Sequence, residues 1–258
     1  MVNAFIIHLQ NQYGTELEIE KPRFQNMVDS LRSRAVAQYP TMRIAEDGKA
    51  AGTINVADVE VLYLLVRHLK PKVIFEIGTW IGTSALIMAE AIRKNNNGGI
   101  IYTCDANSYY SLSDDYDDVI KPINAFSDVA LDELPRNTKI DMVFADGELT
   151  FKTIQKLKNK LETKSIIATH DYVLPDDKGV LNAVRMQLKS NFQYAVIAPS
   201  YKKQEPDKWK ESLIGILVPS KFNNDFYVKS DNYLTRILST IKVAMTALLA
   251  KAVNKIAR

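Results

Sequence analysis

The chain has 258 residues, a hydrophobic fraction of 47%, a charged fraction of 24% and a formal net charge of +3. That length buries a full core and is most simply one domain with extensions, although two domains are within its range. The charge is too small to argue for a nucleic-acid partner, and the single cysteine, Cys104, excludes an internal disulfide framework and fits a reducing compartment.

The amino terminus, MVNAFIIHLQ, has neither the basic flank nor the length of a signal peptide, and no apolar run is long enough to span a bilayer, so a cytoplasmic location is expected. A short strand or helix is expected around Ala4 to Leu9. From Arg23 to Gln38 the apolar positions Phe24, Met27, Val28, Leu31 and Ala35 have helical spacing, and Pro40 closes the segment. MRIAEDGKAAGT reads as loop, and Val56 to Leu69 as a second helix that ends before Pro71. Residues 1–70 thus read as an extension and helical cap in front of a core at 71–220. His8 and His68 have no evident partner, and His68 reads as an exposed helix-end residue.

The core opens on KVIFEIGTWIGTSALIMAEAI: an apolar run, Val73 to Ile77, then Gly78 and Gly82, then Thr83, Ser84 and an amphipathic helix. Strand, glycine turn and helix N-terminus make a cradle for a small charged ligand. A side chain at either glycine is expected to stand between ligand and backbone. Glu-x-Gly-x-x-x-Gly lacks the third glycine of the dinucleotide fingerprint, and Glu76 stands where it repels a phosphate. A ligand with positive charge fits better, its carboxylate left for Ser84 and the helix amides. Trp80, inside the turn, either walls this site or packs in the core.

Further on, apolar runs alternate with turns and helices, which predicts an α/β fold. Ile100 to Cys104 is read as the second strand, with Cys104 buried and Asp105 at its end. Val119 to Asn124 is the third, Ile140 to Ala145 the fourth with Asp146 after it, and Ser165 to Thr169 the fifth, followed by His170 and Asp171. Gln193 to Ala198 and Leu213 to Val218 are expected to pair antiparallel. In an open parallel sheet the strand C-termini share one edge, so Glu76, Asp105, Asp146 and Asp171 are expected together. Asp105 suits the two hydroxyls of a ribose. Asp146, His170 and Asp171 can converge on a divalent ion that lowers the pKa of a substrate hydroxyl. SYYSLSDDYDD, after the second strand, is either a substrate rim or a solvated loop. SYKKQEPDKWKE is a candidate flap.

On these residues the chain resembles the class I S-adenosylmethionine-dependent methyltransferases. EIGTWIGTS and DMVFADG are similar to the cradle and the metal-binding strand end of the catechol-type O-methyltransferases. DGEL followed by HDY resembles the sugar O-methyltransferases and the related group named for cephalosporin hydroxylase. The resemblance spans about Gly52 to Val184. It implies a Rossmann-like, doubly wound sheet, mostly parallel with an antiparallel last strand. It implies S-adenosylmethionine held by Glu76, Gly78, Thr79, Gly82, Ser84 and Asp105. It also implies an adenine-binding turn at Ser127 and Asp128, for which a helix N-cap is the other reading. Magnesium or another divalent cation at Asp146, His170 and Asp171, and a small-molecule or sugar hydroxyl as acceptor, complete the expectation. The catechol-type lysine base is replaced by Leu149. Glu148 is the expected general base, or else a solvated first-turn residue of the next helix. His170 stands where many relatives have an acidic residue; it can ligate, act as a base, or accept a backbone hydrogen bond.

The last segment, Asp231 to Arg258, reads as one helix with an apolar stripe and basic flanks. It suits peripheral contact with an anionic membrane, or packing against the domain or a second copy in a homo-oligomer.

Overall fold

A computed structural model describes residues 4–107, 109–172, 178–189, 194–197 and 212–219. The flap expected at 200–211 and the helix expected at 231–258 fall outside the described residues. Helix α1 is a single element of 35 residues, Ala4–Gln38, with Pro22 inside it. The sequence predicts only its two ends. Proline removes one backbone hydrogen bond from a helix interior, and tertiary ties offset that loss. Phe5, Leu9, Leu17, Phe24, Leu31 and Ala35 are buried, and Glu16 accepts from Tyr63 Oη at 2.5 Å and from Arg67 Nε at 2.6 Å.

Helix α2, Val56–Leu69, has the predicted limits. Asn55 and Asp58 form a capping box at its start, and Lys70 closes it in the left-handed region at φ 48°. His68 is not the exposed helix-end residue expected: it is half-buried against the rings of Phe5 and His8, and burial first, then His8, lowers its pKa.

The strands are β1 Val73–Ile77, β2 Ile100–Cys104, β3 Ile120–Ile123, β4 Ile140–Ala145, β5 Leu161–Thr169, β6 Tyr194–Ile197 and β7 Gly215–Pro219. They form one sheet in the order β3-β2-β1-β4-β5-β7-β6. β1 to β5 are parallel, and β7 runs antiparallel to both of its neighbours. The last strand is antiparallel as predicted, and it lies between β5 and β6.

Strand side chains alternate between faces. Ile74, Met142, Phe144, Ile166 and Ala168 join α1, α2 and α3 (Thr83–Asn95) in one apolar cluster. Phe75, Ile77, Val143, Ala145 and Ile167 meet α4 (Ser127–Glu133), α5 (Phe151–Lys160) and α6 (Lys178–Lys189) in the other. The sheet is therefore doubly wound. The chain runs outward from β1 through β2 to β3 and returns at β4, so the order reverses between β1 and β4, where such sheets open a crevice. No helix among the described residues is long and apolar enough to cross a membrane.

Candidate active site

Glu76, at the end of β1, is wholly buried and accepts from Ser84 Oγ, the second residue of α3. Its other oxygen, Oε2, has no hydrogen-bond partner. Burial, opposed by Ser84 and Thr103, raises its pKa to about 8. Beside it Thr79 Oγ1 lies 2.6 Å from Thr103 Oγ1. Asp105 turns toward the cradle: Oδ2 accepts from Trp80 N at 2.9 Å and Oδ1 from Asn107 N at 3.0 Å.

Both cradle glycines have positive φ, 95° at Gly78 and 98° at Gly82. Their reason differs from the one expected. A Cβ at Gly78 meets the Asp146 and Gly147 backbone at 3.1–3.2 Å, and one at Gly82 meets Leu112 at 3.0 Å. The glycines let β4 and the loop after β2 close on the turn; they do not merely clear a path for a ligand. Trp80 has its indole anchored, Nε1 donating to Ala51 O at 2.9 Å and the ring stacked at a tilt 4.7 Å from Tyr109. In the loop after β2 the acidic residues Asp114, Asp115, Asp117 and Asp118 are exposed, whereas Tyr109 to Leu112 is held against the cap and the cradle. Tyr39 Oη donates to Tyr110 O, and Leu112 packs against the cluster that holds Leu31 and Ile81.

At the ends of β4 and β5, His170 Nδ1 lies 2.9 Å from Asp146 Oδ1 and 3.2 Å from Asp171 Oδ1. Donor atoms of these three residues lie within 4.8 Å of one another. Nδ1 nevertheless makes no hydrogen bond; the approach is close but fails the directional requirement. On the far side of the ring, Nε2 is 2.9 Å from Oδ2 of Asp58, a fully buried carboxylate from the first turn of α2. Burial works to lower the His170 pKa, but Asp146 and Asp58 outweigh it and raise it to about 10. Asp171 holds a positive φ of 56°, an unfavourable conformation for a non-glycine residue.

Among the described residues, the buried side-chain polar atoms without a hydrogen-bond partner are Glu76 Oε2, Thr83 Oγ1, Tyr110 Oη, Thr169 Oγ1 and His170 Nδ1. All belong to strand ends, or to the turn and loop packed on them, at one edge of the sheet. Such atoms are costly unless a ligand satisfies them. A cationic ligand beside Glu76 and a divalent ion beside His170 both fit this donor set.

Other predicted residues face elsewhere. Glu148 accepts from Arg185 Nη1 on α6 at 2.6 Å, and its side chain is 57% exposed. Ser127 is not the N-cap of α4, a position held by Phe126; its hydroxyl lies 2.8 Å from Thr153 Oγ1. Asp128 pairs with Lys152 at 2.5 Å. Sequence reasoning missed Asp58, and it missed Asn182, a buried amide on α6 that accepts from Leu149 N and donates to Gly147 O, clamping the turn after β4. Asp58 carries only the signal of a first-turn helix acid.

Residues 75–172 match the family model described as a methyltransferase domain. The matched segment runs from β1 to just beyond the end of β5 and so takes in the parallel part of the doubly wound sheet. The O-methyltransferase TomG from Streptomyces achromogenes, solved with S-adenosylmethionine, is similar at 18% identity and a TM-score of 0.52, over 74% of this chain and 88% of that one. An O-methyltransferase from Bacillus cereus, in complex with S-adenosylhomocysteine, is similar at 14% identity and a TM-score of 0.52, over 76% and 90%. The S-adenosylhomocysteine-bound methyltransferase PaMTH1 from Podospora anserina gives 16% and 0.51, over 74% and 88%. At these identities the likeness is one of fold. Comparison with curated proteins gives no match.

Proposed function

We propose that this chain is an S-adenosylmethionine-dependent methyltransferase that acts on a hydroxyl of a small molecule or sugar, with a divalent cation at Asp146, His170 and Asp171. The observation that carries the donor half is Glu76: a buried carboxylate with a free oxygen and no cationic partner among the described residues. An amino acid joined to a sulfonium nucleoside brings the missing positive charge. Thr83 and Ser84 then face its carboxylate at the start of α3, where the helix dipole favours an anion. Asp105 takes the ribose hydroxyls with the lone pairs that Trp80 N and Asn107 N leave over. Gly78, Thr79 and Gly82 shape the loop between them.

A divalent cation, when bound, supplies charge that lowers the pKa of an acceptor hydroxyl. Asp146, His170 and Asp171 hold it, and the imidazole makes a nitrogen-tolerant ion a better match than magnesium. Glu148 takes the proton once its carboxylate leaves Arg185. Transfer of the methyl group is an in-line displacement in which the protein supplies position and electrostatics. One observation favours a metal-free, nitrogen-directed reading. A protonated His170 between Asp146 and Asp58 places a positive charge where the cation would stand.

The experiment is incubation with methyl-labelled S-adenosylmethionine and a panel of hydroxylated small molecules, sugars and amines, with and without a chelator. Label on a hydroxyl compound that the chelator abolishes is the expected result. Label on amines that survives chelation supports the metal-free reading, and label on none of the panel contradicts both.

A further inference from the structure

Asp58 has more donors around it than a helix cap requires. Its Oδ1 accepts from Ser212 Oγ and from Leu213 N, each at 2.8 Å. Oδ2 accepts from Asn55 N at 3.4 Å and faces His170 Nε2 at 2.9 Å. Ser212 Oγ in turn accepts from Ile214 N at 3.2 Å, which leaves its hydrogen for Asp58. Three separate parts of the chain, the start of α2, the end of β5 and the residues before β7, thus meet on one buried carboxylate. Asp58 serves as an acceptor on both oxygens, so Nε2 is the ring nitrogen that carries hydrogen. When an ion takes the place of the second proton, Nδ1 is the nitrogen left bare, and it is turned toward Asp146 and Asp171. A carboxylate behind a ligating histidine fixes its tautomer and ring orientation and raises its basicity.

We propose that Asp58 is a positioning residue for the cation site: by accepting from His170 Nε2 it presents Nδ1 beside Asp146 and Asp171, and so makes the site prefer a nitrogen-accepting divalent ion such as manganese over magnesium. Magnesium favours an all-oxygen octahedron and sheds its waters reluctantly, whereas manganese keeps carboxylate ligands and also accepts an imidazole. The inference rests on the cation half of the proposed function and names which ion and why. Asp58→Asn is a directed test. Ser212 and Leu213 both donate to the Oδ1 side, so the amide oxygen is held there and the amide NH2 faces Nε2. That forces Nε2 to accept, and hydrogen moves to Nδ1, where it blocks the ion.

The test uses the full chain with manganese chloride and S-adenosylhomocysteine, read by calorimetry and by pulsed electron paramagnetic resonance for imidazole nitrogen coupling. The wild type is expected to bind manganese with nitrogen coupling and to need more than about 10-fold excess magnesium for displacement. Asp58→Asn is expected to lose the coupling and about 10- to 100-fold in manganese affinity, with S-adenosylhomocysteine bound as before. If that variant fails to bind the nucleoside because it misfolds, His170→Asp decides. With three carboxylates its preference is expected to move toward magnesium by about 10-fold or more. Manganese bound to the wild type without nitrogen coupling, or coupling that persists in Asp58→Asn, overturns the inference and leaves the cation site standing. No manganese binding at all overturns both, and nucleoside binding then shows whether the donor half survives.

Discussion

Ser84 donates its hydroxyl hydrogen to Glu76 Oε1 across the turn between β1 and α3, and Glu76 Oε2 is left without a partner. One oxygen is thereby oriented and the other is free for a ligand. Burial holds the pKa of Glu76 up at about 8, so without a cation beside it the residue is mostly protonated at neutral pH. A cationic ligand selects the carboxylate form, and binding must expel that proton at any pH below 8. S-adenosylhomocysteine affinity is therefore expected to climb by up to about tenfold per pH unit toward pH 8 and to level off above it. Calorimetry across that range in buffers of different ionisation enthalpy measures both the slope and the proton released. A flat profile contradicts the role given to Glu76.

The two halves of the site are separable, because Glu76 and Asp105 flank the cradle while Asp146, His170 and Asp171 stand beyond β4 and β5. Asp146→Ala is expected to reduce cation affinity and turnover by at least about 100-fold, with S-adenosylhomocysteine affinity changed by no more than about threefold. Equal loss of both affinities, measured by titration, runs against this division.

Gly82 stands at the N-cap of α3 with φ 98° and with Leu112 atoms 3.0 Å from where a Cβ would lie. Gly98 has φ 65° but open space around it. Gly82→Ala is expected to cost about 2–3 kcal/mol from backbone strain and crowding together, against about 1 kcal/mol for Gly98→Ala from strain alone. Denaturant midpoints of the two variants test the difference. Similar losses would show that the approach of Leu112 is unimportant.

Glu148 is placed to serve two ends, through its pairing with Arg185 and its exposure to solvent. As the proton acceptor it is expected to lose about 10- to 100-fold in kcat on conversion to Gln, with nucleoside and cation affinities unchanged. A variant with full kcat and a lower melting temperature would make Glu148 an anchor for α6 instead.

The strands and the cradle were legible because each writes its own local signal: an apolar run, a glycine turn, an acidic residue at the strand end. Val73 to Ile77, Ile140 to Ala145 and the limits of α2 needed nothing from distant residues. Helix α1 did. Pro22 and the charges Glu16, Glu20 and Arg23 interrupt its pattern, and these charges find their partners on α2 and α3. The site divides in the same way. Asp146, His170 and Asp171 announce themselves by following strands, whereas Asp58 precedes His170 by 112 positions and looks like an ordinary helix-start acid. The aromatic loop after β2 was legible only in part. Its acidic residues suggest solvent, yet Tyr109 and Leu112 have apolar partners on α1 and the cradle.

The most direct test of the account is titration of S-adenosylhomocysteine into the full chain at pH 8, alongside Glu76→Gln. One-to-one binding by the wild type, weakened at least about 10-fold in the variant, is the predicted result. Absence of binding by a folded wild type, or equal affinity in the two proteins, would contradict the claim that the buried carboxylate at the end of β1 receives a cationic methyl donor.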